Sequence, residues 1–444
     1  MFSRIVMILK GAVCVSLLVI GCTVFLQNEV ALAGEQRKIT VAVLSGGYEP
    51  AVASGIEQFR KETGVDVQVL SYGVGALYEK QLLELTAGSD RFDVISIDGA
   101  EWLVDFNRFV VPLKEYLARD PVDLSDFVPV MLEMSRFPSM YTRRPADYQF
   151  GSGDLYTLPV RIGTRILHYR KDLFEKNHIA VPKTLDDFLQ AARKLTIRRD
   201  GKVEVYGTIM QSQGMWVSEA FLPVLWSSGG DVLDRELRHC ALTRPESVGA
   251  LEYFSTFYKE GLTPPESMAY DLDKAQTVMS QGLGAMIITY SPRALVFDNP
   301  KTSKVAGQMA WAPVPYKSGS GLKAGIGWIS GWGLGISKFS KNKDVAWKFI
   351  KFLTGKDMQL KMAVEYANGP TRVSVFKNAA YQKVFPAASA VLEASITSRT
   401  RPGVPGSKQI EDIWTSEVGY VLAGQKSARD AMQAACDKID PLLK

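Results

Sequence analysis

The sequence predicts an α/β protein in two domains, and three observations lead there. Strand-like and helix-like segments alternate at the spacing of βαβ units. A chain of 444 residues exceeds one ordinary domain and suits two, each with its own core. Hydrophobic residues at 46% and charged residues at 22% are the proportions of a soluble globular protein. The formal net charge of +5 is small for this length, and its basic residues are dispersed, which argues against a nucleic-acid surface.

A strand is expected over 39–44, closed by the turn Gly46-Gly47-Tyr48. A helix follows with Val52, Ile56 and Phe59 on one face and Gly64 as its stop. Alternating Val65, Val67 and Val69 read as a second strand, 77–86 as a helix, and 92–97 as a strand ending at Asp98-Gly99. Such units imply a parallel sheet whose ligands lie beyond the carboxyl ends of its strands. That puts the Gly46–Tyr48 turn and Asp98–Trp102 at one place. Residues 119–155, with Pro121, Pro129, Pro138 and Pro145, read as loops and short helices leading to a crossover. Extended structure is expected over 155–169 and again over 284–290. A helix over 185–195 has Thr184 and Asp187 in the spacing of a capping box. Further helices are expected near 247–259, 273–282, 342–354 and 408–422.

The N-terminus has the build of an export signal: Arg4 and Lys10, an apolar stretch from Gly11 to Leu26, and Ala31-Leu32-Ala33 before Gly34. Residues 1–33 are therefore expected to be removed. Val19-Ile20-Gly21-Cys22 offers the competing reading of a lipid-anchored Cys22, but apolar residues continue after it, where a polar tether is usual. Cleavage leaves Cys240 and Cys436, too far apart in sequence for a metal knuckle or a redox pair. An oxidising compartment permits a disulfide between them, and two inert thiols are the equal alternative.

Catalytic signatures are missing. The three histidines form no close metal-ligand spacing, and there is no GxSxG elbow. The glycines at 319–335 match no phosphate-binding loop. No metal, cofactor or catalytic residue is expected.

Several blocks together carry a resemblance. They are FDVISIDGAEWLVDF (92–106), LYTLPVRIGTRILHYRKDLFEKNHIAVPKTLDDFLQAARKLT (155–196), LWSSGGDVL (225–233), MSQGLGAMIITYSP (279–292) through VAGQMAWAPVP (305–315), ISGWGLGISKFSKNKDVAWKFIKFLTG (329–355) and NGPTRVSV (368–375). In this order they resemble the bacterial extracellular solute-binding proteins that include the maltose-binding proteins. The resemblance implies a two-lobed periplasmic-binding-protein fold with a hinge and a ligand cleft between the lobes. Carried onto this chain, lobe one is 36–150 plus 316–354 and lobe two is 151–315 plus 355–444. It also implies a non-catalytic, monomeric carrier in the periplasm that passes a small-molecule ligand, a mono- or oligosaccharide, to the membrane permease of an ABC transporter. A non-sugar solute such as a polyamine, or a carbohydrate-active enzyme, is the alternative.

A sugar offers hydroxyls and apolar ring faces, so its cleft needs charged hydrogen-bonding groups and flat aromatics. Asp98 at a strand end, with Trp102 one turn later, fits both needs, although Asp98 is equally placed to cap the following helix. Tyr48 follows two glycines, Trp216 lies in a polar loop after Gln213-Gly214, and Tyr290 ends a strand. Gly331 and Trp332 match family cleft positions, and so does Arg372, whose other reading is an ion pair. Trp311, Trp347 and Trp414 are assigned to packing. Two departures stand out: 134–152 is long and basic, and Trp328 replaces a smaller residue.

Overall fold

The computed structural model describes residues 38–444. The expected export signal, Cys22 and the cleavage site before Gly34 lie outside the described residues.

Strand β1 (Lys38–Leu44) is followed by α1 (Tyr48–Ala53) and α2 (Ile56–Thr63), and pairs in parallel with both β2 (Asp66–Tyr72) and β3 (Val94–Asp98). The single helix expected after β1 is thus two, broken at Ser54–Gly55, since glycine is a poor helix former. It does stop at Gly64, which takes a left-handed φ of 70° and returns its N–H to Arg60. Helix α3 (Gly99–Phe106) starts directly from β3.

The strand that organises the molecule is β4 (Thr157–Arg170). Its first half, through Thr164, pairs antiparallel with β7 (Ile329–Ile336), which in turn pairs with β3. Its second half pairs with β5 (Met286–Tyr290) and β6 (Met309–Ala312). The sheet order is therefore β6–β4–β7–β3–β1–β2, with β5 also on β4, and β4 runs from one body of the protein into the other. Around β1–β3 and β7 lies one core, with Phe59, Leu103, Trp347 and Phe349 among its buried residues. A second core gathers Phe188, Phe221, Phe254, Trp414 and Met432. A smaller cluster with Met131, Ile162, Ile329 and Phe376 lies where β4 passes between them. Two lobes with separate cores follow, because each sheet half must cover its own apolar face.

Helix α4 (Trp216–Ser227) was not foreseen. Every residue from Val217 to Ser227 is buried, so the sequence has no polar face and hence no helical period. The helix at Leu185–Leu195 has the expected capping box, with Thr184 and Asp187 bonded reciprocally. Helix α5 (Lys343–Leu353) sets Trp347 into the first core, its indole N–H donating to Asp120 at 3.1 Å. Helices α6 (Lys356–Tyr366), α7 (Ser407–Leu422) and α8 (Ala428–Ile439) follow. Cys436 of α8 is joined to Cys240 by a disulfide, Cα to Cα 5.2 Å, which settles the open question of these thiols.

The long basic stretch near 134–152 is organised by one buried carboxylate. Glu133 accepts from Met140 N at 2.6 Å, Tyr148 Oη at 3.0 Å and Gly151 N at 2.8 Å. The strap so formed leans on the second lobe, where Tyr141 O accepts from Gly403 N and Arg144 donates to Arg235 O.

Candidate functional site

Residues opposed in paired strands share a face of the sheet. Asp98, the last residue of β3, is opposed to Trp332 on β7, and Trp332 to Arg161 on β4. The three form a row at the carboxyl end of β3. Four residues further along β4, on the same side, stands Arg165, opposed to Tyr290 on β5. Gly163 lies between the two arginines, and the Tyr290 ring covers it: a Cβ at 163 would sit 1.9 Å from a ring carbon. The glycine is what lets the tyrosine reach across β4.

Arg165 is buried, paired with Glu219 of α4 and bonded to Ser330 Oγ at 3.2 Å. Its guanidinium lies 4.9 Å from the Tyr290 ring and 4.2 Å from the Trp328 ring. Arg401 lies over the same Trp328 at 4.5 Å and is bonded to Glu101 of α3 at 3.0 Å and to Glu411 of α7 at 2.6 Å. Stacks of this kind are worth about 2 kcal/mol each when desolvated. Burial works against the charge of Arg401, but Glu101 and Glu411 more than offset it and hold its pKa above the ordinary value. The Glu101–Arg401 pair joins the two lobes across the cleft.

Asp98 occupies the N-cap position of α3, yet its side chain makes no capping bond. Nor does its carboxylate bond to any other group among the described residues. Burial foremost, then the neighbouring charge of Glu101, pushes its pKa up to about 7, while Arg401, Arg165 and Arg161 pull the other way. Arg161 has no ion pair or side-chain hydrogen bond among the described residues, and its guanidinium lies 5.9 Å from the Tyr48 ring. The aromatic wall beside Asp98 is Trp102 edge-on to Trp332 at 5.2 Å, backed by Tyr78 at 5.0 Å. On the outer side of that wall lies an open cavity of about 410 Å³, lined by Tyr78, Glu101, Trp102 and Asp105 on one lobe and by Ser407 and Lys408 on the other.

The structure therefore brings Asp98, Trp102, Tyr290 and Trp332 together. Trp216 is the first residue of α4 rather than part of a loop, one turn ahead of Glu219. Gly331 has a packing role, since a Cβ there would meet Met131 Cε at 2.3 Å and Arg161 O at 2.7 Å. Two residues lie elsewhere than expected. Tyr48 is wholly buried in the first core, where its ring supports Arg161 and offers no face to the cleft. Arg372 donates to Thr354 O at 2.6 Å, Asp123 O at 3.2 Å and Asp126 Oδ2 at 3.3 Å, and stacks 4.1 Å from Phe127. Its donors are committed to the frame, so the ion-pair reading describes it. Arg161, Arg165, Glu101, Glu219 and Arg401 escaped the sequence reading. The first two had a visible signal: arginines at an even spacing inside a strand otherwise buried on both faces.

The chain matches the description of a bacterial extracellular solute-binding protein over residues 45–360. A putative binding protein of Brucella abortus is 25% identical over 96% of this chain and 98% of its own length. Among solved structures, an ABC transporter solute-binding protein of Agrobacterium radiobacter in complex with ribitol is 25% identical, with a TM-score of 0.74 over 92% of this chain and 99% of that one. A maltose-bound MalE protein of T. maritima is also 25% identical at a TM-score of 0.74, over 91% and 99%. The two-lobed fold, the cleft at the strand ends and these likenesses agree: the chain belongs to the bacterial extracellular solute-binding protein family, the binding components of ABC transporters.

Proposed function

We propose that the cleft binds one neutral polyhydroxylated molecule, a sugar or sugar alcohol, for delivery to the permease of an ABC importer. The observation that carries this reading is the row Asp98–Trp332–Arg161. It holds an unpartnered carboxylate and an unpartnered guanidinium on either side of an aromatic ring, while Arg165, Arg401 and Glu219 are all paired. Unpartnered groups of opposite sign leave no net charge for the ligand to balance. A hydroxyl serves both, donating to Asp98 and accepting from Arg161. The rings of Tyr290 and Trp332 suit the apolar faces of a sugar. The relatives bound to ribitol and to maltose support the same class.

An amino acid, its ammonium on Asp98 and its carboxylate on Arg161, is the second reading, because the same pair of charges fits it. The exported carrier acts as a monomer, and its lobe one departs from 36–150 plus 316–354, since Trp328 belongs to the core of lobe two. The first half of β4 and α6 side with lobe one, since Leu158, Val160, Met358 and Met362 belong to its core. That puts the hinge near Gly163–Thr164.

The protein is a carrier and not an enzyme. Calorimetric titration with sugars, sugar alcohols and amino acids, followed by chromatography of the recovered ligand, tests this. One-to-one binding with the ligand returned unchanged is expected. A hydrolysed oligosaccharide would overturn the carrier reading, and binding of amino acids alone would overturn the sugar.

A further inference from the structure

The strap held by Glu133 faces lobe two across a second, partly open cavity of about 520 Å³. Trp226, Leu233 and Ile326 supply its apolar lining, and Phe150 of the strap, 58% exposed, stands at its edge. Arg401 stands over Trp328 beside the ligand cleft, whereas Arg399, two residues earlier, lines the second cavity.

Its charges do not balance. Arg144, Arg235, Arg244 and Arg399 line it, against Asp231 and Asp234. Both carboxylates are already engaged. Asp231 accepts from Arg399 at 2.7 Å and from the Trp226 indole at 3.0 Å, and Asp234 accepts from Arg238 N at 2.8 Å. Arg144 spends its donors on the carbonyls of Met140, Thr142 and Arg235. Arg235 and Arg244 have neither an ion pair nor a side-chain hydrogen bond among the described residues. Burial, and after it the charge of Arg235, lowers the pKa of Arg144, as crowding of like charges should.

We propose that this cavity is a second binding site, for a small organic anion whose carboxylate or phosphate groups pair with Arg235 and Arg244 while its body rests against the partly exposed Leu322 and Ile326. The volume lies in the range of small-ligand pockets, and guanidiniums favour these oxyanions through paired N–H donors. An occupant would also tie the strap to lobe two.

Citrate and pyrophosphate are the probes, titrated calorimetrically into the full chain at low salt, with glycerol as the neutral control. Both anions should bind and glycerol should not. The double variant Arg235→Ala/Arg244→Ala should weaken anion binding by at least about tenfold, since each lost charge-assisted bond counts. Both positions are exposed, so the variant should melt as the wild type does. Asp98→Asn, which alters only the other cleft, should leave anion binding as it was. No binding by either probe up to ~10 mM at low ionic strength, or equal affinity in the wild type and the double variant, would overturn the proposal. So would a loss caused by Asp98→Asn as large as that of the double variant.

Discussion

Two buried arginines, Arg372 and Arg165, have nearly the same immediate chemistry. Each is 4% exposed, each lies close to 4 Å from an aromatic ring, and each has a carboxylate partner. Their surroundings differ. Around Arg372 the neighbouring acceptors are consumed: Asp126 also takes the amide and hydroxyl of Ser374, and the carbonyls of Thr354 and Asp123 are satisfied by the arginine itself. Around Arg165 the chain leaves Asp98 and Arg161 without partners. A buried arginine over an aromatic ring is thus no mark of a binding site. Unspent hydrogen-bonding capacity at the end of a strand is, because burying it costs stability unless a ligand meets it.

The largest test of this contrast is at Arg372. Arg372→Ala takes the donor from Thr354 O and Asp123 O and leaves Asp126 with Ser374 and the more distant Lys356, and should lower unfolding free energy by about 3 kcal/mol, with ligand affinity unchanged in the protein that remains folded. Denaturant melts and calorimetry on the same sample check it, and a loss of affinity alone would place Arg372 in the site. Reduction of Cys240–Cys436, which closes a loop across a sequence separation of 196, should cost about 2–4 kcal/mol by melting under reductant. It too should spare affinity, since the bond lies in lobe two away from the row.

Asp98→Asn should do the opposite. Ligand binding should weaken by about 2–3 kcal/mol, or about 30- to 150-fold, with the unliganded protein no less stable. The sign follows from the pKa. A carboxyl raised from 3.8 to about 7 in the folded state binds its proton more tightly there than when unfolded. Its contribution to stability therefore falls as pH rises from ~4 to ~7. The variant removes that fall, so its stability should vary less with pH across this window. The smallest effect is on affinity. Hydroxyls donating to Asp98 need the ionised form, so binding should weaken about ten- to thirtyfold between pH 8 and pH 5.5. Titrations across that range check it, and a pH-independent affinity would remove Asp98 from the contact.

The order of strands and amphipathic helices was legible because period and capping are local, as at Val65–Val69 and Thr184–Asp187. Helix α4 was not, since burial on all sides erases the period. Within the site, Asp98 and Tyr290 could be read from their positions at strand ends. Arg401 could not: Glu411 and Trp328 reach it only once the second lobe has folded, and Glu101 only when the two lobes meet. Arg372 misled for the converse reason. A resemblance carries a residue's position along the chain, whereas its role depends on which acceptors the fold brings to it.

The central claim is that the Asp98–Trp332–Arg161 row recognises an uncharged polyhydroxylated ligand. The most direct measurement is a thermal-shift screen of sugars, sugar alcohols and amino acids, run in parallel on the wild type and Asp98→Asn. A ligand that binds the folded state raises its melting temperature by mass action. The account predicts that at least one neutral sugar or sugar alcohol raises the wild-type melting temperature and that the rise largely disappears in the variant. Equal rises in both proteins, or rises with amino acids alone, would contradict it.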